Sequence, residues 1–185
     1  MKSVYQDVIM AGFGGQGVML IGNLLAYAGM DANLNVTFIP VYGPEMRGGT
    51  ANCTVVVSSE EIGSPIIQRP KGIIALNQPS LEKFQPKVED GGVAVVNSSL
   101  IDMSLADTQR LRIAGVAANA IAHELGNTRM VNMVALGAYV KATGVMPLDA
   151  VIGALEHVFP PRNHKLIPKN AEALRAGFDR CEISA

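Results

Sequence analysis

The sequence has few of the residues that build metal centres. Among 185 residues it has no tryptophan, two cysteines and three histidines. Cys53 and Cys181 stand far apart and in no C-x-x-C spacing, which excludes a self-contained iron–sulfur or zinc site built on cysteines. The histidines show no H-E-x-x-H pattern, and they stand at positions His123, His157 and His164. We therefore predict no metal site in this chain.

Charge and hydropathy argue against two further classes of partner. The 15 basic and 16 acidic residues nearly cancel, to a formal net charge of −1, and no long run of one sign occurs. Such a charge balance does not favour nucleic acid. No apolar run reaches the roughly 18 to 20 residues that cross a bilayer, and Ser3, Gln6 and Asp7 do not fit a signal peptide. The chain is predicted to be cytoplasmic, without a nucleic acid or membrane partner.

Catalytic signatures are also missing. The sequence has no G-x-S-x-G elbow, and spacing assigns no pair of acidic residues to one site. We therefore name no catalytic residue. A 49% share of hydrophobic residues, with nine methionines, favours a surface that partly faces other proteins, because methionine adapts to irregular interfaces. A compact α/β domain rich in alanine, valine and glycine is the alternative.

The most informative stretch is a glycine-rich turn between an apolar strand and an apolar helix. It reads Ala11-Gly-Phe-Gly-Gly-Gln-Gly-Val18, and its candidate binding residues are Gly12, Gly14, Gly15, Gln16 and Gly17. Glycine permits a positive φ and a close approach of other atoms. A helix that starts here directs free N–H groups and the positive end of its dipole out of the turn. The turn therefore suits a phosphate, a carboxylate or a buried peptide carbonyl.

The same G-x-G-x-x-G spacing occurs in dinucleotide-binding folds, where the second strand ends in an acidic residue for the ribose hydroxyls. Here the second predicted strand, about Asn35 to Val41, is followed by Tyr42 and Gly43. Asp31 precedes that strand and Glu45 lies beyond it, so the ribose carboxylate is missing from its usual place. This pattern disfavours a nucleotide cofactor.

A second glycine-rich segment follows that strand. Pro40 to Thr50 contains two prolines and three glycines in eleven residues, which predicts a long loop. Arg47 offers a planar fork of donors for a phosphate or carboxylate. The alternative is that Arg47 pairs with Glu45 or with a partner chain and only fixes the loop. The candidate binding residues of this segment are Tyr42, Glu45, Arg47, Gly48 and Gly49.

Apolar runs and turn signals alternate along the chain in the order of an α/β fold. The predicted strands are Val4–Met10, Asn35–Val41, Ala51–Ser58, Gly72–Leu76, Val93–Asn97 and Leu111–Gly115. The predicted helices are Val18–Tyr27, Asn77–Phe84, Ala117–Leu125, Val131–Thr143, Leu148–Val158 and Lys169–Phe178. We expect a single domain over residues 1–185, with a Rossmann-like, doubly wound, mainly parallel sheet and extra C-terminal helices. The first two strands are expected to form a right-handed parallel βαβ unit.

Two motifs together resemble a known family. Gly12-Phe-Gly-Gly-Gln-Gly-Val18, followed by Tyr42-Gly-Pro-Glu-Met-Arg-Gly-Gly49, resembles the gamma subunit of the 2-oxoacid:ferredoxin oxidoreductases. The form of the second motif is closest to the 2-oxoglutarate, 2-oxoisovalerate and pyruvate enzymes. Three further stretches fit the family, and they are Ile73–Leu81, Asn132–Gly137 and His164–Pro168. The resemblance thus spans nearly the whole chain.

The resemblance implies a subunit, inactive alone, of an enzyme that oxidatively decarboxylates a 2-oxoacid on thiamine diphosphate, forms an acyl-CoA and reduces ferredoxin. It implies alpha and beta subunits as partners, leaves open a ferredoxin-like delta subunit, and assigns the thiamine and iron–sulfur ligands to those chains. This chain would flank the active site and hold no cofactor alone. CoA is then the ligand expected at the two glycine motifs, with the Gly14–Gly17 turn and Arg47 as its main contacts.

Two alternatives of other classes stay open. One is a free-standing nucleotide-binding oxidoreductase, and the other is a non-catalytic assembly subunit that binds no small molecule. The identity of the 2-oxoacid and the subunit stoichiometry are not encoded in a recognisable motif. The apolar surface also leaves open a homodimer of the isolated chain.

Overall fold

A computed structural model of the protein describes residues 4–41 and 50–184. The described part is built on one seven-stranded sheet with helices on both faces. Within those two ranges, no helix combines the length and the hydropathy that a membrane span requires. Five of the predicted binding residues lie outside the described residues, and they are Tyr42, Glu45, Arg47, Gly48 and Gly49.

The order of elements follows the predicted one closely. The strands are β1 (Tyr5–Phe13), β2 (Asn35–Val41), β3 (Thr50–Ser58), β4 (Gly72–Ala75), β5 (Val93–Asn97), β6 (Arg112–Val116) and β7 (Glu182–Ile183). The α-helices are α1 (Val18–Asp31), α2 (Gln78–Phe84), α3 (Ala118–Glu124), α4 (Val131–Thr143), α5 (Leu148–Gly153), α6 (Leu155–Val158) and α7 (Ile167–Arg180). The short strand β7 was not predicted, and the helix predicted over Leu148–Val158 is divided at Ala154.

The sheet confirms the α/β fold class. Its strand order is β2-β3-β1-β4-β5-β6-β7, and β1, β4, β5 and β6 pair in parallel. β3 pairs antiparallel with both β1 and β2, and β7 pairs antiparallel with β6. Five of the seven strands, namely β1, β2, β4, β5 and β6, therefore point the same way.

The observed βαβ unit differs from the expected one in one respect, because β2 is not the neighbour of β1. β3 lies between them and pairs along all nine of its residues, from Tyr5↔Ser58 to Phe13↔Thr50. Its β-branched residues explain the position: Val55 and Val57 are buried in the larger core, on the side of the sheet that α1 covers. The end of β2 is consequently one strand further from β1 than in a dinucleotide-binding unit.

The two faces of the sheet carry separate hydrophobic cores. Alternate residues of β1 point to opposite faces, so Val8 and Met10 enter the larger core while Ile9 and Ala11 enter the smaller one. α1, α4, α5 and α7 cover the larger core. α2 covers the smaller core with Leu81.

The chain therefore changes face between β1 and β4. The helix after β1 packs on one face, and the helix after β4 packs on the other. In open α/β sheets such a change leaves a crevice at the carboxyl ends of the two strands, and ligands bind there. The Gly14–Gly17 turn follows β1, and Asn77 follows β4, so both lie at this crevice.

Two glycines set the packing of α4 against α7. A Cβ atom on Gly137 would overlap the carbonyl oxygen of Leu174, and one on Gly177 would overlap the carbonyl oxygen of Val134. The backbones of the two helices are thus in direct contact, which a larger side chain would prevent.

We expect Gly137→Ala to lower the free energy of unfolding by about 3 kcal/mol, because the added methyl group forces the two helix backbones apart. Gly153→Ala is the matched control, since nothing lies within 4 Å of its added Cβ. Urea denaturation of the two purified variants measures the difference. Equal unfolding midpoints would show that the α4–α7 crossing is not tightly packed.

Candidate functional site

The glycine turn joins the carboxyl end of β1 to the start of α1. Gly15 has a φ of 91° and Gly17 a φ of 73°, both in the left-handed region that glycine adopts at little cost. Gly17 is the N-cap residue of α1 and, as a glycine, offers no side-chain cap. The first turn of α1 also has no acidic residue. The helix therefore begins with backbone donors, as the sequence predicts.

Gln16 is bonded to its own turn and to the next strand. Its Oε1 accepts hydrogen bonds from the Phe13 backbone N–H at 2.6 Å and from Asn77 Nδ2 at 3.0 Å. Asn77 Oδ1 accepts the Ser80 backbone N–H at 3.0 Å and so caps α2. One pair of amides thus connects the turn before α1 with the cap of α2, across the crevice between β1 and β4.

The next two parallel strands end in a second pair of amides. Asn97, the last residue of β5, donates from Nδ2 to Asn119 Oδ1 at 2.8 Å and to the Leu76 carbonyl at 3.2 Å. Its Oδ1 accepts the backbone N–H of Ala118 at 3.1 Å, at the start of α3. An amide side chain therefore stands at or after the carboxyl end of each of β1, β4, β5 and β6. These four residues are Gln16, Asn77, Asn97 and Asn119.

Asn132 lies in α4, on the face of the sheet that carries the larger core, and forms a hydrogen bond with the glycine turn. Its Nδ2 donates to the Gly17 carbonyl at 3.1 Å, and the residue is only 2% exposed. A Cβ atom on Gly17 would overlap this Nδ2. Glycine at position 17 is thus required both by its positive φ and by the contact with Asn132.

The asparagines were not among the predicted site residues. Asn77 had a signal in the sequence, since it precedes Pro79 and Ser80 as a helix cap would. Asn97 and Asn119 had a weaker one, because each stands at or after the end of a predicted strand. Their pairing joins positions 22 residues apart, which spacing alone does not reveal.

The two described residues that flank the second glycine motif, Val41 and Thr50, lie at the same end of the sheet as the Gly14–Gly17 turn. The second motif starts directly after Val41 and ends directly before Thr50. Thr50 pairs with Phe13, the last residue of β1, and Val41 pairs with Asn52 two residues further along β3. Val41 and Thr50 are therefore held in the sheet near the Gly14–Gly17 turn.

A cavity of about 350 Å³ adjoins the turn. Its lining consists of Phe13, Gly14, Gly15, Gly17, Val18, Met19, Leu20 and Ala51. None of these eight side chains is charged, and the Phe13 side chain leaves 39% of the residue exposed. The turn thus offers backbone donors beside an apolar wall. That combination suits a ligand with an anionic part and an apolar part, or a segment of another polypeptide.

The same geometry argues against a dinucleotide. The crevice in which a dinucleotide would lie is bridged by Gln16 and Asn77. The end of β2, where the ribose carboxylate would stand, is displaced outward by β3. The bridged crevice and the displaced end of β2 therefore both disfavour a dinucleotide, as the missing acidic residue does.

Both thiols are buried. Cys53 lies under α1 with its Sγ 3.6 Å from the Val18 carbonyl, and burial raises the pKa of this thiol to about 12. Burial also raises the pKa of Cys181. Because the thiolate is the nucleophile, burial makes both cysteines less reactive than an exposed thiol. Within residues 4–41 and 50–184, no group of three or more His, Cys, Asp or Glu side chains is placed to hold a metal ion.

We expect Gly17→Ala to destabilise the chain more than Gly15→Ala. Both variants place a side chain at a left-handed φ, at about 1–2 kcal/mol each. Only Gly17→Ala also displaces Asn132, which adds about 1–3 kcal/mol, since nothing lies within 4 Å of a Cβ on Gly15. Urea unfolding of the two variants measures the difference, and an equal loss would mean that Asn132 moves aside without penalty.

Comparisons with known proteins point to one family. The sequence matches the family described as pyruvate ferredoxin/flavodoxin oxidoreductase over residues 7–180. It is 40% identical to the ketoisovalerate oxidoreductase subunit VorA of Methanothermobacter marburgensis over 174 residues, which are 93% of this chain and 36% of VorA. It is 32% identical to the 2-oxoglutarate synthase subunit KorC of Methanothermobacter thermautotrophicus over 183 residues, which are 96% of this chain and 95% of KorC. The chain thus spans about a third of the VorA relatives and nearly all of KorC.

A solved structure has the same fold. The keto/oxoacid ferredoxin oxidoreductase gamma subunit from Geobacter sulfurreducens superposes with a TM-score of 0.82 at 25% sequence identity. The match covers 95% of this chain and 95% of that one. The resemblance drawn from the two glycine motifs is confirmed at the level of the family.

Proposed function

Because this chain belongs to the pyruvate ferredoxin/flavodoxin oxidoreductase family, we propose that it is the gamma subunit of a multi-subunit 2-oxoacid:ferredoxin oxidoreductase. The complete enzyme oxidatively decarboxylates a 2-oxoacid to an acyl-CoA with the help of thiamine diphosphate, and passes the electrons to ferredoxin. The observation that carries this proposal is the match to KorC along nearly the whole of both chains.

The two relatives together support an assembly of several chains. In VorA the matching segment is about a third of a longer chain, whereas in KorC it is nearly the entire subunit. One unit that occurs both fused and separate is expected to work against the same partner segments in either form. The partners of this chain are accordingly the alpha and beta subunits, with a ferredoxin-like delta subunit in enzymes that have one.

The side chains of this chain support a complex in which the other subunits hold the cofactors. Both cysteines are buried, and within residues 4–41 and 50–184 no group of three or more His, Cys, Asp or Glu side chains is placed to hold a metal ion. The four amides at the carboxyl edge of the sheet form hydrogen bonds but transfer no proton at neutral pH. The thiamine diphosphate, the clusters and the proton transfers then belong to the other subunits.

The ligand of this chain in the complex is CoA, bound at the two glycine motifs. The diphosphate of CoA fits the backbone donors at the start of α1, and its pantetheine arm fits the apolar cavity beside Phe13. Val41 and Thr50, the described residues on either side of the second motif, lie near this turn, which supports Arg47 as a further contact of CoA. The proposed contacts are Gly12, Gly14, Gly15, Gln16 and Gly17, with Tyr42, Glu45, Arg47, Gly48 and Gly49 from outside the described residues.

The first experiment is to purify the native complex through a tag on this chain. Dye reduction is then assayed with 2-oxoglutarate, 2-oxoisovalerate and pyruvate, each with and without CoA and thiamine diphosphate. The proposal expects activity that depends on both cofactors, and the preferred acid identifies the substrate. A complex of the complete set of subunits without such activity would contradict the proposed function.

In the assembled enzyme, we expect Arg47→Ala to raise the KM for CoA about tenfold or more, as befits the loss of a charge-assisted hydrogen bond. The KM for the 2-oxoacid should stay unchanged, because that substrate contacts other chains. Arg162→Ala is the control, since Arg162 lies in a 3-10 turn before α7, outside both motifs. Unaltered acyl-CoA formation by Arg47→Ala would refute the contact and favour a subunit that serves assembly alone.

A further inference from the structure

We propose that Gln16 is a positioning residue, which holds the glycine turn in its ligand-binding conformation through Phe13 and Asn77. This inference rests on the proposed function. It adds to the contact proposed for Gln16 a second role, as a support for the backbone donors beside it.

The acceptor capacity of Gln16 is already used within the chain. An amide oxygen has two lone pairs, and Gln16 Oε1 accepts one hydrogen bond from Phe13 N–H and one from Asn77 Nδ2. The contact with Phe13, at 2.6 Å, is the shorter of the two. Gln16 therefore closes the turn upon itself, and its oxygen has no lone pair left for a ligand.

Packing alone does not hold the turn. Gly15 and Gly17 flank Gln16, and both have a positive φ, so the segment loses much backbone freedom when it is ordered. Nothing lies within 4 Å of a Cβ placed on Gly15, so this side of the turn is open. Its conformation then depends on hydrogen bonds, from Gln16 on one side and from Asn132 to the Gly17 carbonyl on the other.

Asn77 is a rigid anchor for this bridge. The residue is 3% exposed, and its Oδ1 is occupied by the Ser80 N–H at the start of α2. Since the oxygen of the amide faces Ser80, the nitrogen must face Gln16, and the orientation of both amides is determined. The turn before α1 is thereby fixed to the helix on the opposite face of the sheet.

A ligand that binds only one conformation of the turn loses affinity in proportion to the fraction of molecules in that conformation. In the assembled enzyme we therefore expect Gln16→Met to raise the KM for CoA about fivefold, because methionine keeps the size but loses the amide acceptor. The kcat and the KM for the 2-oxoacid should stay within about twofold.

Two further variants distinguish a specific role of Gln16 in the glycine turn from a general loss of stability. Asn77→Ser retains a cap for α2 but no longer reaches Gln16, so it should raise the KM for CoA in the same direction and by less. Gln85→Met is the matched control: it removes a glutamine that also bonds two backbone groups, the Leu105 carbonyl at 3.0 Å and the Asp107 N–H at 2.8 Å. It should leave the KM for CoA unchanged.

A higher KM for CoA in Gln16→Met and Asn77→Ser, with Gln85→Met at the wild-type value, supports the positioning role. A wild-type KM in Gln16→Met, or the same increase in Gln85→Met, overturns it. If Gln16→Met does not assemble, Asn77→Ser decides the question in the same way. A wild-type complex with no CoA-dependent turnover would overturn the proposed function itself, and this inference with it, before any variant is compared.

Discussion

The change of face between β1 and β4 is the constraint on which the rest of this molecule depends. Two helices leave the sheet in opposite directions there, so the carboxyl ends of β1 and β4 are left without a covering element. Buried backbone donors and acceptors need partners. In a dinucleotide-binding fold the ligand occupies this place. Here Gln16 and Asn77 occupy it, and they join the beginnings of the two helices.

This internal bridge fills the crevice, so the proposed binding surface lies on the other side of the turn. The donors at the start of α1 adjoin the apolar cavity beside Phe13 and Ala51, at the same end of the sheet as Val41 and Thr50, which flank the second glycine motif. In the proposed complex, this uncharged turn would face a ligand that other chains also hold. The occurrence of the same unit fused in VorA and separate in KorC fits a part that supplies one wall of a shared site.

Much of the fold follows from local signals in the sequence. The continuous apolar run of β1, the glycine turn and the Asn77 cap of α2 are each encoded within a few residues, although β1 extends to Phe13, beyond its predicted end at Met10. The position of β3 beside β1 does not follow from local signals, because a β-branched run gives the same sequence pattern in parallel and antiparallel strands. The two-residue β7 is too short to give a pattern. The helix predicted over Val18–Tyr27 continues to Asp31, and Gly29 within it allows close packing on Val36 and Val57.

The amide network shows the same limit at the site. Each asparagine is an ordinary cap or strand-end residue in the sequence, and only the fold brings Gln16 to Asn77 and Asn97 to Asn119. The most direct test is the structure of the assembled enzyme with CoA bound. We predict that CoA contacts the backbone of the Gly14–Gly17 turn while Gln16 still bonds Phe13 and Asn77. CoA bound out of reach of this turn, or a Gln16 amide turned toward the ligand and away from Asn77, would contradict this arrangement.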